Sequence, residues 1–280
     1  MNDFNTESHS QSPLSLLQWY LDSGVDECIS DDATDWFEIN ATAAPKPAQP
    51  NRSNQPAAAT RPAASAAAYP LQATDQIAAT AKDLVKDCKT LDELRQKIEE
   101  FDGCALKKTA SKTVFSDGIA GSDLMLIGEA PGVEEDRQGK PFVGASGQLL
   151  DKMFAAIHRS REENLYISNT LPWRPPGNRK PSDAELHICQ PFLMKHIELA
   201  APKVLVLLGG TAASSLLDSK VGITRLRGKW HEIEVAGRII PVMPTYHPAY
   251  LLRQPQTKAQ AWSDLQNIRD KLNELDGSKA

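Results

Sequence analysis

The chain has 280 residues and a net charge of −5, and 41% of its residues are hydrophobic. This length allows one sizeable domain with additional segments, and no apolar run approaches the length that crosses a membrane. The amino terminus lacks the basic and apolar regions of a secretory signal. We therefore expect a cytoplasmic protein without a membrane partner. The four cysteines are far apart and form no CxxC pair, which predicts reduced thiols.

Charge is unevenly distributed along the chain. Residues 1–40 contain nine acidic residues and no lysine or arginine, whereas residues 101–280 carry 23 basic and 20 acidic residues. The first segment is predicted to be a disordered acidic tail. The alternative is a short helix from Pro13 to Leu21 that docks on a protein partner or on the rest of the chain. The slight excess of basic residues in 101–280 is compatible with a polyanionic partner.

Residues 41–72 are rich in alanine and proline, which predicts an extended linker. Helix and strand signals then alternate over residues 73–280. A capping box from Thr90 to Glu93 starts the second helix, and another from Ser182 to Glu185 starts a later one. Apolar runs at 123–127, 165–168, 203–208 and 239–243 predict strands, and amphipathic segments at 146–158, 182–199 and 257–275 predict helices. The fold class is therefore α/β, a three-layer α/β/α sandwich with a mainly parallel central sheet.

The most informative stretch begins at Leu124. Its apolar run ends at Gly128-Glu-Ala-Pro-Gly132, a turn at the carboxyl end of a buried strand. Open α/β sheets bind their ligands at that end. Gly128 allows a flat ligand to approach the backbone, and the ring of Phe142 is able to cover it. A plain strand-to-helix turn with a packed Phe142 is the alternative.

Polar residues follow three of the predicted strands: Glu129, Asn169 and His247. An amide donates and accepts at once, so Asn169 matches a base edge with a carbonyl beside an N–H, as in uracil. A neutral His247 beside a carbonyl oxygen is able to stabilise negative charge that develops there. Taken singly, Asn169 is equally explained as a turn residue and His247 as a loop residue before proline. Their shared position at strand ends favours a ligand site.

Two loops suit a nucleic-acid backbone. The first, from Trp173 to Pro181, is basic and proline-rich, and a solvated loop is its alternative. The second, His247-Pro-Ala-Tyr-Leu-Leu-Arg253, places apolar side chains beside an arginine, a combination that wedges into base stacks; a helix start packed on the core is its alternative. The predicted DNA-binding residues are Arg174, Arg179, Lys180, Leu251, Leu252 and Arg253.

These motifs, in this order, resemble those of the family 4 uracil-DNA glycosylases, and the resemblance covers about Thr90 to Leu272. It implies an α/β/α sandwich over residues 73–280 that flips uracil out of single- or double-stranded DNA and hydrolyses its N-glycosidic bond, a step of base excision repair. The matching positions imply that Phe142 stacks on the base, Asn169 recognises its edge and His247 contacts its carbonyl. They also place Glu129 and Glu135 in or beside the pocket.

Water activation is less defined by the resemblance. The best-known uracil-DNA glycosylases have an aspartate where this chain has Ala130. Ala130 is expected to line the pocket together with Gly128. We therefore expect Glu129, Glu135 or Asn169 to orient the water. The expected catalytic residues are His247, Asn169, Glu129 and Glu135.

One departure from the family concerns its [4Fe–4S] cluster, which four cysteines hold. Two of the four ligand positions here are Phe101 and Trp173, and only Cys104 and Cys189 match. Because two thiolates cannot complete a four-cysteine cluster, we expect no metal or other cofactor. Phe101 and Trp173 are predicted to fill the space as an apolar plug.

Three alternatives remain open at the level of sequence. Related proteins trap abasic DNA covalently through a histidine in a basic loop, but residues 172–181 contain no histidine. A non-catalytic binder of uracil or abasic DNA is the second. The third is a glycosylase with a wider range of deaminated bases, such as hypoxanthine. A monomer is expected, with a protein partner for the acidic tail.

Overall fold

The computed structural model describes residues 71–277. Over this range the chain forms a six-stranded sheet in the order β1-β3-β2-β4-β6-β5. β3, β2, β4 and β6 are parallel, and β1 and β5 pair antiparallel at the two edges. The strands are β1 (Asp117–Gly118), β2 (Leu124–Gly128), β3 (Leu165–Asn169), β4 (Val204–Leu208), β5 (His231–Val235) and β6 (Arg238–Thr245). The predicted mainly parallel sheet is confirmed.

Helices connect the strands and enclose the sheet. Within the described residues they are α1 (Leu71–Val85), α2 (Leu91–Glu100), α3 (Ala105–Thr109), α4 (Val133–Gln138), α5 (Ala145–Ala155), α6 (Asp183–Ala200), α7 (Gly210–Leu217), α8 (Ile223–Leu226), α9 (Pro248–Arg253) and α10 (Lys258–Leu275). Helix α1 begins two residues inside the predicted linker. The acidic tail, its alternative helix at 13–21 and the linker up to residue 70 lie outside the described residues.

The central strands bury both faces, which creates the three predicted layers. Alternate residues of a strand point to opposite faces. Leu124 and Leu126 of β2 pack with the cluster that includes α5 and α10, while Met125 and Ile127 pack with α6 and α7. All five residues of β2, β3 and β4 are buried, which explains why these strands appear in the sequence as continuous apolar runs.

Both predicted capping boxes are present. Thr90 Oγ1 accepts a hydrogen bond from the backbone N–H of Glu93 at 3.2 Å, and Ser182 Oγ accepts one from the N–H of Glu185 at 3.3 Å. The glutamates reach back to the backbone N–H groups of Thr90 and Ser182. These reciprocal contacts satisfy the free N–H groups at the starts of α2 and α6.

Cys88, Cys104 and Cys189 are buried and free, as expected for reduced thiols. The fourth cysteine, Cys28, lies outside the described residues. Over the described range, none of the helices combines the length and the apolar character that a membrane span requires.

Candidate active site

A cavity of about 490 Å³ lies at the carboxyl edge of the parallel strands, within the usual size range of small-molecule sites. It is lined by residues that follow β2, β3, β4 and β6. Glu129, Asn169 and His247, predicted from three separate strand ends, all line it, and so does Phe142. The parallel topology is the physical reason, because it brings the carboxyl ends of all four strands to one edge.

Phe142 lies in the loop between α4 and α5, and its ring is packed inside the site. The residue is 6% exposed, and its ring centroid is 5.5 Å from that of His247. A methyl group at Gly128 would lie 2.5 Å from Cζ of Phe142, which is closer than packed carbon atoms approach. The glycine at the end of β2 is therefore what allows the ring to sit against the backbone.

Asn169 is the last residue of β3 and is 7% exposed. Its Oδ1 atom is buried and has no hydrogen-bond partner among the described residues. A methyl group at Gly128 would lie 2.4 Å from this atom. Because buried acceptors are nearly always satisfied, this oxygen leaves Asn169 with unused hydrogen-bonding capacity at the cavity.

His247 caps the amino terminus of α9. Its Nδ1 accepts a hydrogen bond from the backbone N–H of Ala249 at 3.1 Å. In a neutral ring this bond leaves the proton on Nε2, so that atom is the donor available to a ligand. Burial, with a smaller contribution from the charge of Arg253, lowers the pKa of His247 to about 4, against an opposite effect of Glu135. His247 is thus neutral at physiological pH, as the sequence argument required.

The two glutamates differ in their surroundings. Glu135 accepts backbone N–H groups on both oxygens: Oε2 from Gly132 at 3.1 Å, and Oε1 from Val143 and Gly144 at 2.9 Å each. Glu129 lines the cavity and is half-buried. Within residues 71–277 its backbone carbonyl accepts hydrogen bonds from Thr170 and Leu171, and its carboxylate has no partner. Glu135 therefore ties two loops together, while the carboxylate of Glu129 is the freer of the two. Ala130 and Gly132 complete this wall.

The predicted DNA-binding cations are placed differently. Arg179 forms a two-pronged ion pair with the buried Glu185, at 2.6 and 2.9 Å, and this pairing raises the pKa of Arg179. Arg174 donates from Nε to Asn178 Oδ1 at 2.7 Å. Lys180 and Arg253 are exposed, and Arg253 lines the cavity. The guanidinium of Arg179 therefore stabilises its own loop through the ion pair with Glu185.

The two leucines expected to enter a base stack have opposite environments. Leu251 is 1% exposed and packs with Tyr246 and Ala261, whereas Leu252 is 44% exposed. The sequence offered Leu251 or Leu252 as the wedge, and the packing favours Leu252, because the helical turn of α9 points Leu251 into the core. Leu252 is on the surface of the same helix.

The sequence argument missed some residues that line the cavity, among them Ser146, Pro175 and Tyr250. Tyr250 lies within the motif that begins at His247, and the helical spacing of that motif was the available signal. Pro175 lies within the basic loop from Trp173 to Pro181 and Ser146 follows the loop of Phe142, but nothing in their residue types predicts a position at the site.

The region matching the family's iron–sulfur site is an apolar cluster. Phe101 and Trp173 are 6% and 1% exposed and pack in one cluster with Cys104 and Cys189. The two thiols interact by a hydrogen bond that lowers the pKa of Cys104 and raises that of Cys189. Over residues 71–277 no group of three or more metal-binding side chains is assembled. Two thiolates beside two buried aromatic rings do not fit a four-cysteine cluster.

Fold and site together define a class of protein. It is an α/β/α sandwich whose sheet edge holds a cavity of about 490 Å³, with an aromatic ring, an unsatisfied amide oxygen and a neutral imidazole in its walls. Such a set of groups suits a flat heterocycle that presents both N–H and carbonyl groups.

Comparison with known proteins identifies the family within this class. The model of the uracil DNA glycosylase superfamily matches residues 115–266. A type-4 uracil-DNA glycosylase from Archaeoglobus fulgidus is 38% identical over 195 residues, which cover 68% of this chain and 96% of the relative. Those from Thermotoga maritima and Sulfurisphaera tokodaii are 39% and 34% identical over 159 and 186 residues, covering 56% and 65% of this chain and 81% and 84% of the relatives. The chain belongs to the uracil DNA glycosylase superfamily.

Proposed function

We propose that this protein is a DNA repair enzyme that removes uracil from single- or double-stranded DNA by hydrolysing its N-glycosidic bond. The observation that carries the proposal is the orphan Oδ1 of Asn169, buried in a cavity that it shares with Phe142 and the donor His247. Relatives named type-4 uracil-DNA glycosylases support the same activity.

The substrate contacts follow from the hydrogen-bonding capacity of each group. Uracil presents an N–H beside a carbonyl, so Asn169 accepts the N–H on Oδ1 and donates its own N–H to the carbonyl. Phe142 stacks on the base, and Gly128 and Ala130 form the wall beside it. Cytosine lacks that N–H and has an amino group in place of the carbonyl. In the same orientation, the side-chain N–H of Asn169 would face this amino group, and both groups are donors.

The chemistry depends on charge that develops as the bond breaks. A base inside a duplex is unreachable, so the nucleotide first flips into the cavity at a cost of roughly a few kcal/mol. The sugar then gains oxocarbenium character while the base gains negative charge. Nε2–H of His247 donates a hydrogen bond to the uracil carbonyl and stabilises that charge. The neutral imidazole still carries the proton on Nε2 that this hydrogen bond requires.

Water activation is assigned to Glu129, with Asn169 beside it. Glu129 is supported by its place in the cavity wall and by a carboxylate that has no hydrogen-bond or ion-pair partner within residues 71–277. We assign Glu135 the role of a positioning residue, because three backbone N–H groups already occupy its oxygens. This revises the expectation that Glu135 orients the water.

DNA contacts are assigned to the rim of the cavity. Leu252 fills the space of the flipped nucleotide, and Arg253, Lys180 and Arg174 contact phosphates. Arg179 contributes positive potential at the rim while its guanidinium stays paired with Glu185.

The protein is further proposed to act without an iron–sulfur cluster. Burial of Phe101 and Trp173 joins α2 to the loop after β3 through apolar packing. Protein purified without oxygen is expected to contain substoichiometric iron and to lack broad visible absorption. Stoichiometric iron with that absorption would contradict the proposal.

The same proposal places the protein in the cytoplasm as a monomer, and gives the acidic tail a protein partner. Deleting residues 1–70 is expected to leave excision of short oligonucleotides unchanged and to impair repair in cells. A deletion that changes neither would count against the partner.

The activity is tested by incubating the protein with matched oligonucleotides that contain uracil, hypoxanthine or cytosine, followed by alkali. Cleavage at uracil alone is the expected result, since only an enzyme leaves alkali-labile abasic sites. Binding without cleavage would indicate a non-catalytic binder, and cleavage at hypoxanthine as well would widen the substrate class.

A further inference from the structure

Arg161 lies in the segment between α5 and β3 and makes four polar contacts. Its Nε donates to Asp151 at 2.7 Å, and Nη1 donates to Asp117 at 3.0 Å. The other two acceptors are backbone carbonyls: Pro141 O at 2.8 Å from Nη1 and Phe142 O at 2.5 Å from Nη2. The side chain is 11% exposed and does not line the cavity. Two carboxylates hold the guanidinium, which in turn holds two consecutive carbonyls.

Those carbonyls belong to the loop that carries the base-stacking ring. Phe142 has a φ of +54°, in the left-handed region that a phenylalanine seldom adopts. Such a backbone persists only where its surroundings fix it. The helix α5 passes so close that a methyl group at Gly147 would lie 1.7 Å from Phe142 O. This carbonyl is thus fixed by close packing on one side and by Arg161 on the other.

The N–H groups that follow are held from the opposite direction. Glu135 accepts the backbone N–H groups of Val143 and Gly144, each at 2.9 Å. Arginine and glutamate therefore bind adjacent peptide groups of one loop through their carbonyl and N–H ends. A fork with fixed donor geometry is suited to two neighbouring carbonyls, and a lysine ammonium cannot reproduce it.

We propose that Arg161 is a positioning residue that sets the ring of Phe142 against the flipped base, an inference that rests on the proposed function. Arg161 acts through Phe142 and has no contact with the substrate. Its effect on catalysis should therefore depend on the presence of the ring, whereas a general contribution to stability would not.

A double-mutant cycle tests this dependence. Single-turnover excision from a single-stranded uracil oligonucleotide is measured for the wild type, Arg161→Ala, Phe142→Ala and the double variant. Stacking of a base on an aromatic ring is commonly worth about tenfold or more in binding, so Arg161→Ala is expected to lower the single-turnover rate at subsaturating enzyme about tenfold. In the Phe142→Ala background the same change is expected to cost less than about twofold.

Two further variants sharpen the cycle. Arg161→Lys keeps the charge without the fork and is expected to rescue only part of the loss. Arg159→Ala removes the same charge from the same segment. The Arg159 side chain has no polar partner among the described residues, and this variant is expected to stay near wild type. An equal loss from Arg161→Ala in both backgrounds, or no loss in either, would overturn the inference.

A readout independent of activity separates this inference from the proposed function. Hydrogen exchange of a peptide spanning residues 140–148 is expected to quicken in Arg161→Ala, with peptides from β4 unchanged. Unchanged exchange in residues 140–148 would overturn the positioning role even if excision falls. Failure of the wild type to release uracil would instead overturn the proposed function, and the exchange result would still decide whether Arg161 holds the loop.

Discussion

At the scale of single residues, a hydrogen bond to the backbone decides what His247 offers a ligand. Nδ1 is occupied as an acceptor by the N–H of Ala249, so the neutral ring presents Nε2–H. Burial keeps the ring neutral by lowering its pKa to about 4. The protonated state is therefore confined to acid, well below the usual range of histidine.

This state predicts a particular pH dependence. Excision by the wild type should show no titration of His247 between about pH 8 and pH 5.5, because the folded-state pKa lies near 4. The measurement is the pH profile of kcat/KM for the wild type and for His247→Gln, which retains a donor. An acidic limb near pH 6.5 that disappears in His247→Gln would contradict a neutral donor.

Gly128 yields a second residue-level prediction. A methyl group there would approach Asn169 Oδ1 to 2.4 Å and the Phe142 ring to 2.5 Å, so Gly128→Ala must displace one of them. Displacement of about 1 Å at a reacting site commonly costs about 100-fold in rate, and we expect a loss of that size in uracil excision. Gly210→Ala is the matched control. Gly210 also lines the cavity, but its nearest neighbour, Ile223, would be 3.9 Å away. Similar rates for both variants would contradict the steric argument.

At the scale of elements, helix α9 separates two adjacent leucines into a core residue and a surface residue. Leu251→Ala should destabilise the fold by about 2–5 kcal/mol, as large-to-small core changes do, measured by denaturant unfolding. Leu252→Ala should leave stability unchanged. It should lower excision from duplex DNA more than from single strands, because base pairs and stacking are lost on flipping mainly in the duplex. An equal loss on both substrates would contradict a wedge role for Leu252.

The elements also show how far the sequence alone could lead. The buried strands and the capped helices α2 and α6 were predictable because apolar runs and capping boxes are local signals. The edge strand β5 was missed although its residues alternate in exposure, since three of its five residues carry charged or titratable side chains. β1 has two residues, and its pairing with β3 depends on contacts about 50 residues apart.

The site residues also fall into those that local sequence signals predict and those that depend on distant contacts. Asn169 and His247 were predictable because each lies at or just beyond the carboxyl end of a strand, and the parallel topology brings strand ends together. The roles of Glu135, Leu251 and Arg161 were not, because each depends on which backbone groups or side chains approach from distant parts of the chain. Phe142 O and Arg161, for example, are 19 residues apart in sequence.

At the scale of the whole molecule, buried histidines couple the fold to pH. His196 is 3% exposed, bonded through Nε2 to the Tyr166 hydroxyl at 2.9 Å and stacked on Phe115 at 4.2 Å. Burial lowers the pKa of His196 to about 3. Below about pH 6.5 the histidine of the unfolded chain is protonated, whereas His196 in the folded protein stays neutral. The free energy of unfolding is therefore highest above about pH 6.5 and decreases as the pH falls.

This coupling predicts the shape of the stability curve. His196 alone should remove up to about 3 kcal/mol between pH 7 and pH 4. Urea unfolding at several pH values is the measurement, and His196→Gln should have a shallower slope over that range, whatever its stability at pH 7. Parallel slopes for the wild type and the variant would contradict a buried, neutral His196.

The account as a whole depends on Asn169, His247 and Phe142 acting together on one uracil. The most direct measurement is the single-turnover rate of uracil release by the wild type, Asn169→Ala and His247→Ala, with oligonucleotide binding measured in parallel. Each substitution is predicted to lower the rate by about 100- to 1,000-fold, as loss of a positioned donor does, while DNA binding changes little. Near-wild-type release by either variant would contradict the proposed site.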